Sequence, residues 1–169
     1  MALPRKLKNF NVFNDGTSYM GVAGEIVLPK LTRKMEEWRG GGMNGPVEVD
    51  QGIEKLEFEH TYGGIVRQIF SQFGVSRVDG VLLRFAGAYQ RDDTGAIDAV
   101  EVVVRGRHRE IDPGTSKAGD DTAFKVMSTL SYYKLVINGA TVIEIDLLNM
   151  VEIVDGVDRL AGQRIALSI

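Results

Sequence analysis

Few residues of this chain could do chemistry, and their spacing argues against most of it. Three glycines, Gly40-Gly41-Gly42, follow Arg39 and precede Met43. A glycine-rich loop cradles phosphate when a helix starts directly after it in a βαβ unit. Here Pro46 and a β-like run through Val47 and Val49 follow instead, so the glycines read as the start of a structural arm. There are two histidines: His60, at an inward parity between Phe58 and Tyr62, reads as a core or interface residue. His108, in a basic segment, reads as a surface residue, and no HExxH-like spacing joins the two into a zinc motif. The pairs Asp92-Asp93 and Asp120-Asp121 lack the EF-hand pattern and read as solvated turns. No nucleophile elbow or serine-triad signature is present, and a chain without cysteine has no thiol nucleophile or disulfide. Adjacent Tyr132 and Tyr133 in a strand must point to opposite faces, one into the core and one to a sheet face or interface. A base-stacking role for either lacks a basic groove. The reading is a protein that is not an enzyme and uses no cofactor or metal.

The elements that position these residues are mostly strands. The chain has 169 residues, which fits one domain over 1–169 able to bury about 70% of its unfolded surface. The apolar share is 44%, the charged share 25% and the net charge −3, which gives no electrostatic case for a dedicated nucleic-acid binder. No apolar run follows the basic N-terminus, and no stretch approaches a membrane span, so neither a signal peptide nor a membrane anchor is expected and the chain is expected in the cytoplasm where it is made. Twenty glycines spread along the chain suggest many turns, as in an all-β fold. Asp15-Gly16, Asn138-Gly139 and Asp155-Gly156 are turn signals. Strands are expected near 9–13, 17–23, 25–38, 53–62, 81–89, 99–109, 123–137 and 141–146, with Pro29 marking a bend in the third. Ile65, Ile69 and Phe73 recur at helical spacing and predict a helix over 65–73 that covers the core and stops at Gly74. Asp158 can cap a short C-terminal helix. The fold class is mainly β: an antiparallel sandwich or barrel with one flanking helix.

Two features point toward assembly. The connection over about 39–52 is several times longer than a hairpin needs, and it carries apolar Met43, Val47 and Val49. It reads as an arm that projects from a sheet and finds a surface elsewhere, on another copy of the chain. Long alternating strands also leave unpaired sheet edges that a neighbour would complete. On the residues alone, a small-ligand or carbohydrate-binding β-sandwich is the competing reading.

Several segments in order resemble the major tail tube protein of contractile-tailed bacteriophages, and are similar to the tube protein of R-type pyocins. They are Leu28-Pro29-Lys30-Leu31, Arg39-Gly40-Gly41-Gly42-Met43 with Pro46-Val47, and Asp112-Pro113-Gly114 with Lys117-Ala118-Gly119. Ser131-Tyr132-Tyr133-Lys134-Leu135, Glu144-Ile145-Asp146, and Gly156-Val157-Asp158 with Leu160-Ala161-Gly162 complete the set, which runs nearly end to end. The resemblance implies a ring-forming structural subunit whose hexamers stack into a hollow tube inside a contractile sheath. It implies a late virion protein, assembled in the host cytoplasm. Its partners would be itself, the sheath, baseplate or initiator and tail terminator proteins, and the tape measure protein and DNA in the lumen. A headless bacteriocin tube is the alternative within the family. On this reading Arg39, Gly41, Met43, Pro46 and Val47 of the arm, with Leu3, Phe10 and Val12 of the N-terminal segment (about 1–13), contact neighbouring subunits. The polar parity of the strands flanking the arm, Lys34, Glu36, Lys55, Glu57 and Glu59, is expected to line a mildly acidic lumen.

Overall fold

The computed structural model describes residues 1–169. In chain order the elements are β1 (Lys6–Asn14), β2 (Thr17–Ser18), β3 (Ala23–Val27), β4 (Arg33–Trp38), β5 (Val47–Ile53), β6 (Glu57–Tyr62) and α1 (Arg67–Ser71). They continue with β7 (Val81–Gln90), β8 (Ile97–Asp112), β9 (Phe124–Ile137), β10 (Ala140–Asp146), β11 (Val151–Val154), β12 (Val157–Asp158) and α2 (Ala161–Ala166). One antiparallel sheet runs β12-β11-β10-β9-β8-β7-β1-β2, while β4 and β5 form a separate two-stranded ribbon. β9 is long enough to serve two partners on one edge: Phe124 to Thr129 pair with β6, which carries β3, and Tyr132 to Ile137 pair with β10. At this fork the Leu130 N–H donates to the Leu56 carbonyl and the Leu147 N–H to the Ser131 carbonyl, both at 3.0 Å.

The fork explains one glycine. β8 pairs along the other edge of β9, and its register steps between Arg105 and Gly106. A Cβ on Gly106 would stand 1.9 Å from the Thr129 carbonyl oxygen, so no side chain fits there. Around the fork the sheet curls over a core of Val12, Leu56, Phe58, Leu83, Phe85, Val102, Val104, Tyr133 and Ile145. Each such side chain contributes about 1.5–3 kcal/mol by leaving water. A second cluster, Tyr19, Tyr62, Val66, Ile69, Phe124 and Val126, seats α1 against the sheet.

Three turn signals behave as read. Asp15-Gly16, Asn138-Gly139 and Asp155-Gly156 all take positive φ at both positions, which matches the twist of the strands they join. Other expectations need correction. The strand expected over 25–38 is two strands, because Pro29 cannot donate to a ladder and pairing stops after Val27. The arm is half strand: β5 takes its second part, and β6 starts only at Glu57. The helix expected over 65–73 shrinks to Arg67–Ser71; of the residues in its predicted stripe, Val66 and Ile69 are buried, while Ile65, Phe70 and Phe73 stay exposed. Asp158 does not cap α2 through its side chain; it accepts from the Leu160 N–H at 3.1 Å and ion-pairs with Arg164.

His108 is the clearest correction. It is buried, not on the surface, and it belongs to a chain of polar groups that fastens α1 to the sheet. The Tyr62 hydroxyl lies 2.8 Å from His60 Nδ1, and Ser128 Oγ lies 3.0 Å from His60 Nε2 and 2.9 Å from His108 Nδ1. His108 Nε2 then meets Gln72 Oε1 at 2.9 Å, and the Gln72 amide donates to Asn14 Oδ1 at 2.7 Å and Asp15 Oδ2 at 2.9 Å. Burial in this dry network pushes the His60 ring down to about 3, with His108 a smaller like-charge contributor. Burial pushes His108 down to about 4, against a weaker upward pull from Asp15.

Two outcomes follow. Gly106→Ala should cost about 1–3 kcal/mol in a denaturant titration, and an unchanged midpoint would refute the close approach. For pH, both histidines keep their ordinary value of 6.5 in the unfolded chain and a lower one when folded. Above about pH 6.5 their contribution is complete; below it the unfolded chain takes up protons that the folded chain refuses down to about pH 4 and then 3. Unfolding free energy should therefore fall by several kcal/mol, in order of magnitude, across that window. His108→Gln, which cannot take the proton, should flatten part of that slope.

Candidate functional site

The ribbon has no core beneath it. Every residue of β4 is exposed, as are the residues of β5 up to Gln51. Its register pairs Met35 with Asp50, Glu36 with Val49, Glu37 with Glu48 and Trp38 with Val47. Paired residues share a face, so one face carries Lys34, Glu36, Trp38, Val47 and Val49, and the other carries Met35, Glu37, Glu48 and Asp50. The first face is polar near the sheet and apolar at its far end, where Trp38 is 62% and Val47 50% exposed.

The loop at the far end is folded, not slack. The Met43 N–H donates to the Gly40 carbonyl at 3.2 Å, the Gly40 N–H meets the Met43 sulfur at 3.1 Å, and Arg39 Nε donates to the Met43 carbonyl at 3.2 Å. Gly42 takes a φ of +84°, which favours glycine, and at Gly40 an added Cβ would press within 3.4 Å of the Trp38 indole nitrogen. The glycine run thus lets a compact knob form on Trp38 rather than a phosphate cradle.

The base of the ribbon is clamped. Its register slips between Arg33 and Met35, where Gly52 on β5 takes a φ of +107°. Asp50 accepts from Arg33 Nε and from the Gly52 N–H, each at 2.8 Å. The Arg33 bond, helped by the Gly52 one, holds the Asp50 carboxyl below its usual range. Arg33 also reaches Glu152 of β11 at 2.7 Å, which ties the ribbon to the main sheet.

The expected contact residues divide. Arg39, Gly41, Pro46 and Val47 are exposed on the ribbon end, and Met43 is half-buried on its own loop. In the N-terminal segment Leu3 is exposed, while Phe10 is half-buried and stacks on Phe85 at 5.8 Å. Val12 is fully buried in the chain's own core and is removed from any contact set. The basic N-terminus is held by its own chain: the Leu3 N–H donates to Asp93 at 3.1 Å, Lys8 pairs with Asp92 at 2.8 Å, and Arg5 pairs with Asp98. Trp38 escaped the sequence reading as a contact, although as the single tryptophan beside a glycine run it carried a signal.

Lys55, Glu57 and Glu59 do share the outer face of β6, opposite buried Leu56, Phe58 and His60. Their charge is not free. Glu57 meets Lys55 at 2.7 Å and Arg109 of β8 at 2.5 Å, and Glu59 meets Lys125 of β9 at 3.3 Å. The hydrogen bond from Lys55, followed by the attraction of Arg109, holds the Glu57 carboxyl below its usual range. Lys34 and Glu36 pair at 3.7 Å on the ribbon. The five residues alone carry −1, but their two partners Arg109 and Lys125 bring the face to +1, so the expected acidic wall is corrected to an ion-paired one.

Tyr133 is buried, and Tyr132 points the other way to donate to Glu144 at 3.1 Å. What the arrangement offers is a projecting, largely coreless ribbon and a salt-bridged sheet face.

The chain matches the family described as phage tail tube protein FII over residues 4–167. It is 51% identical over 167 residues to the tail tube protein of Escherichia phage P2, covering 97% of each chain. It is 40% identical over 158 residues to the major tail tube protein of Serratia phage KSP20, covering 92% of this chain and 91% of that one. Its fold is similar to that in the sheath-tube complex of the extracellular contractile injection system PVC in its extended state, with a TM-score of 0.56 at 9% identity over 77% of this chain and 88% of that one. The tube-terminating cap of the anti-feeding prophage is similar at a TM-score of 0.58 and 8% identity, over 75% of this chain and 87% of the other. A β-rich chain with an exposed ribbon, matched nearly end to end by two phage tube subunits, belongs to the phage tail tube protein family.

Proposed function

We propose that copies of this chain form hexameric rings that stack into the inner tube of a contractile phage tail. The observation that carries this reading is the ribbon. A two-stranded hairpin with no packed face is marginal alone, and this one exposes Trp38, Val47 and Val49, so it gains its stability from a neighbouring subunit. Arg39, Gly41, Met43, Pro46 and Val47 meet the adjacent ring, and Leu3 makes a second contact between subunits. Sheath surrounds the tube, baseplate and terminator proteins close its ends, and assembly takes place in the host cytoplasm before the tail joins the virion. Tape measure protein and then DNA occupy the lumen. Both curated relatives come from phages, which favours a genome-carrying particle over a headless bacteriocin.

The face of Lys34, Glu36, Lys55, Glu57 and Glu59 lines that lumen. Its carboxylates are held by Lys55, Arg109 and Lys125, so DNA phosphates passing along it meet few free cations. Removing the carboxylates would release those cations to bind phosphate.

Deleting residues 41–49 should leave a folded subunit that no longer polymerises in sedimentation or negative-stain images; tubes of normal length from that variant would refute the role of the ribbon. The pair Glu57→Lys and Glu59→Lys should spare tube assembly and slow DNA release measured by dye uptake after triggering. Wild-type release kinetics in that variant would refute the lumen assignment.

A further inference from the structure

The outer face of the main sheet is charged over much of its area but carries one half-buried apolar patch. An antiparallel sheet with one solvated face alternates polar and apolar residues. Here Val81-Leu82-Leu83 of β7 and Val102-Val103-Val104 of β8 are apolar on both faces. Outward-pointing Phe13, Leu82 and Val103 line a hollow of about 210 Å³, and the Arg84 guanidinium stands 4.1 Å over the Phe13 ring. Strand register places Arg84, Val103 and Lys134 in one row across β7, β8 and β9, with Arg105 two residues further along β8 on the same face. The rim of the hollow is therefore basic. Arg84 holds Glu101 at 3.5 Å, whereas Arg105 and Lys134 make no ion pair within the chain. On the same face Glu144 is engaged by the Tyr132 hydroxyl.

The ribbon presents the complement. Met35, 45% exposed, stands on one face of the ribbon with Glu37, Glu48 and Asp50 around it. Glu37 and Glu48 lie directly opposite each other, an arrangement that destabilises a strand pair, and neither meets a cation in its own chain. An apolar knob with an acidic collar and an apolar hollow with a basic rim are thus both left open on one molecule.

We propose that the Met35, Glu37 and Glu48 face of the ribbon docks on the Phe13, Leu82 and Val103 hollow of a second copy of this chain, with the two glutamates bonded to Arg105 and Lys134 there. The contact is heterologous, since the two surfaces differ, and a contact of that kind propagates or closes a ring instead of ending at a dimer. The inference rests on the tube reading above, and it names the receptor surface that the reading leaves open. It also divides the ribbon: this face binds one neighbour, while on the other face Lys34 and Glu36 near the base continue the wall of the lumen and Trp38 and Val47 at the far end meet the adjacent ring.

The test uses the full chain in three charge variants: Glu37→Lys with Glu48→Lys, Arg105→Glu with Lys134→Glu, and all four together. All sites are exposed or half-buried, so melting temperatures should stay near that of the unmodified protein. Each pair alone should raise the concentration needed for polymerisation at least tenfold, and the fourfold variant should recover most of that loss. In parallel, Met35→Cys with Val103→Cys in this cysteine-free chain should give intermolecular disulfide ladders on oxidation. Normal polymerisation by either charge pair, no recovery in the fourfold variant, or polymers that form but never cross-link would overturn the docking while leaving the tube reading intact. Reversed-rim tubes that assemble normally yet lose their sheath would assign the hollow to the sheath and overturn it equally. If the unmodified chain forms neither rings nor tubes, the tube reading fails, and the docking fails with it.

Discussion

A two-stranded ribbon that packs only Ile53, at its base, against the core has little of its own to stiffen it, and that constraint organises the proposed assembly. The ladder between β4 and β5 gives backbone hydrogen bonds, but each is worth only about 1 kcal/mol net because water would satisfy the same groups. Exposed Trp38, Val47 and Val49 add nothing until they are covered. What holds the ribbon in position is the Arg33 clamp at its base, bonded to Asp50 within the ribbon and to Glu152 of the main sheet. That guanidinium helps set the direction of projection, and in the proposed tube the energy that stiffens the rest comes from contact with a neighbour. In the proposed tube, a subunit built this way completes itself against its neighbours.

The main sheet supplies the opposite property, a rigid anchor. β9 takes partners on both edges along its whole length, and the fork at Leu130 and Ser131 lets one strand hold the β3–β6 flap and the β10–β11 wing together. The crowding has a local cost. The Ser131 hydroxyl is buried at the fork without a hydrogen-bond partner. Elsewhere the buried polar groups are satisfied in series, from Tyr62 through His60, Ser128 and His108 to Gln72 and Asn14. Such a network stabilises only when complete, because each member left unpaired in a dry interior costs about 1–3 kcal/mol. Because both histidines are neutral, the chain fastens α1 without burying a charge.

Much of this was legible in the sequence, and the misses have physical causes. The turns at 15–16, 138–139 and 155–156 were readable because two consecutive left-handed residues strongly select Asn, Asp and Gly. β5 was lost inside the arm because a glycine run and a proline precede it, although Val47 and Val49 already alternate with Glu48 and Asp50. The helix was overextended because periodicity reports every apolar demand on a segment, including Ile65 and Phe73, which stay exposed outside the helix, whereas half-covered Phe70 packs on Phe124 at 5.2 Å. His108 was misread from the company it keeps. Arg107 and Arg109 point outward, and in a strand that argues for an inward residue between them. The partners of Glu57 and Glu59 were beyond reach, since Arg109 and Lys125 come from strands many residues away.

Those distant partners change what the charged face means. Exposed ion pairs are worth about 0–1 kcal/mol each, so the bonds joining Glu57 to Lys55 and Arg109, and Glu59 to Lys125, are a weak source of fold stability. Their stronger effect is on the field that a passing polyanion meets. Isolated carboxylates would repel DNA along the whole wall and raise the work of filling the tube, while isolated cations would bind phosphates and retain it. Pairing places both signs within a few ångströms, so their fields largely offset one another inside a screening length of about 8 Å and leave only the single positive charge of the Lys55, Glu57 and Arg109 cluster. In the proposed tube the sheet edges and the ribbon supply cohesion between subunits, and this face is left with a surface that neither holds nor opposes its cargo.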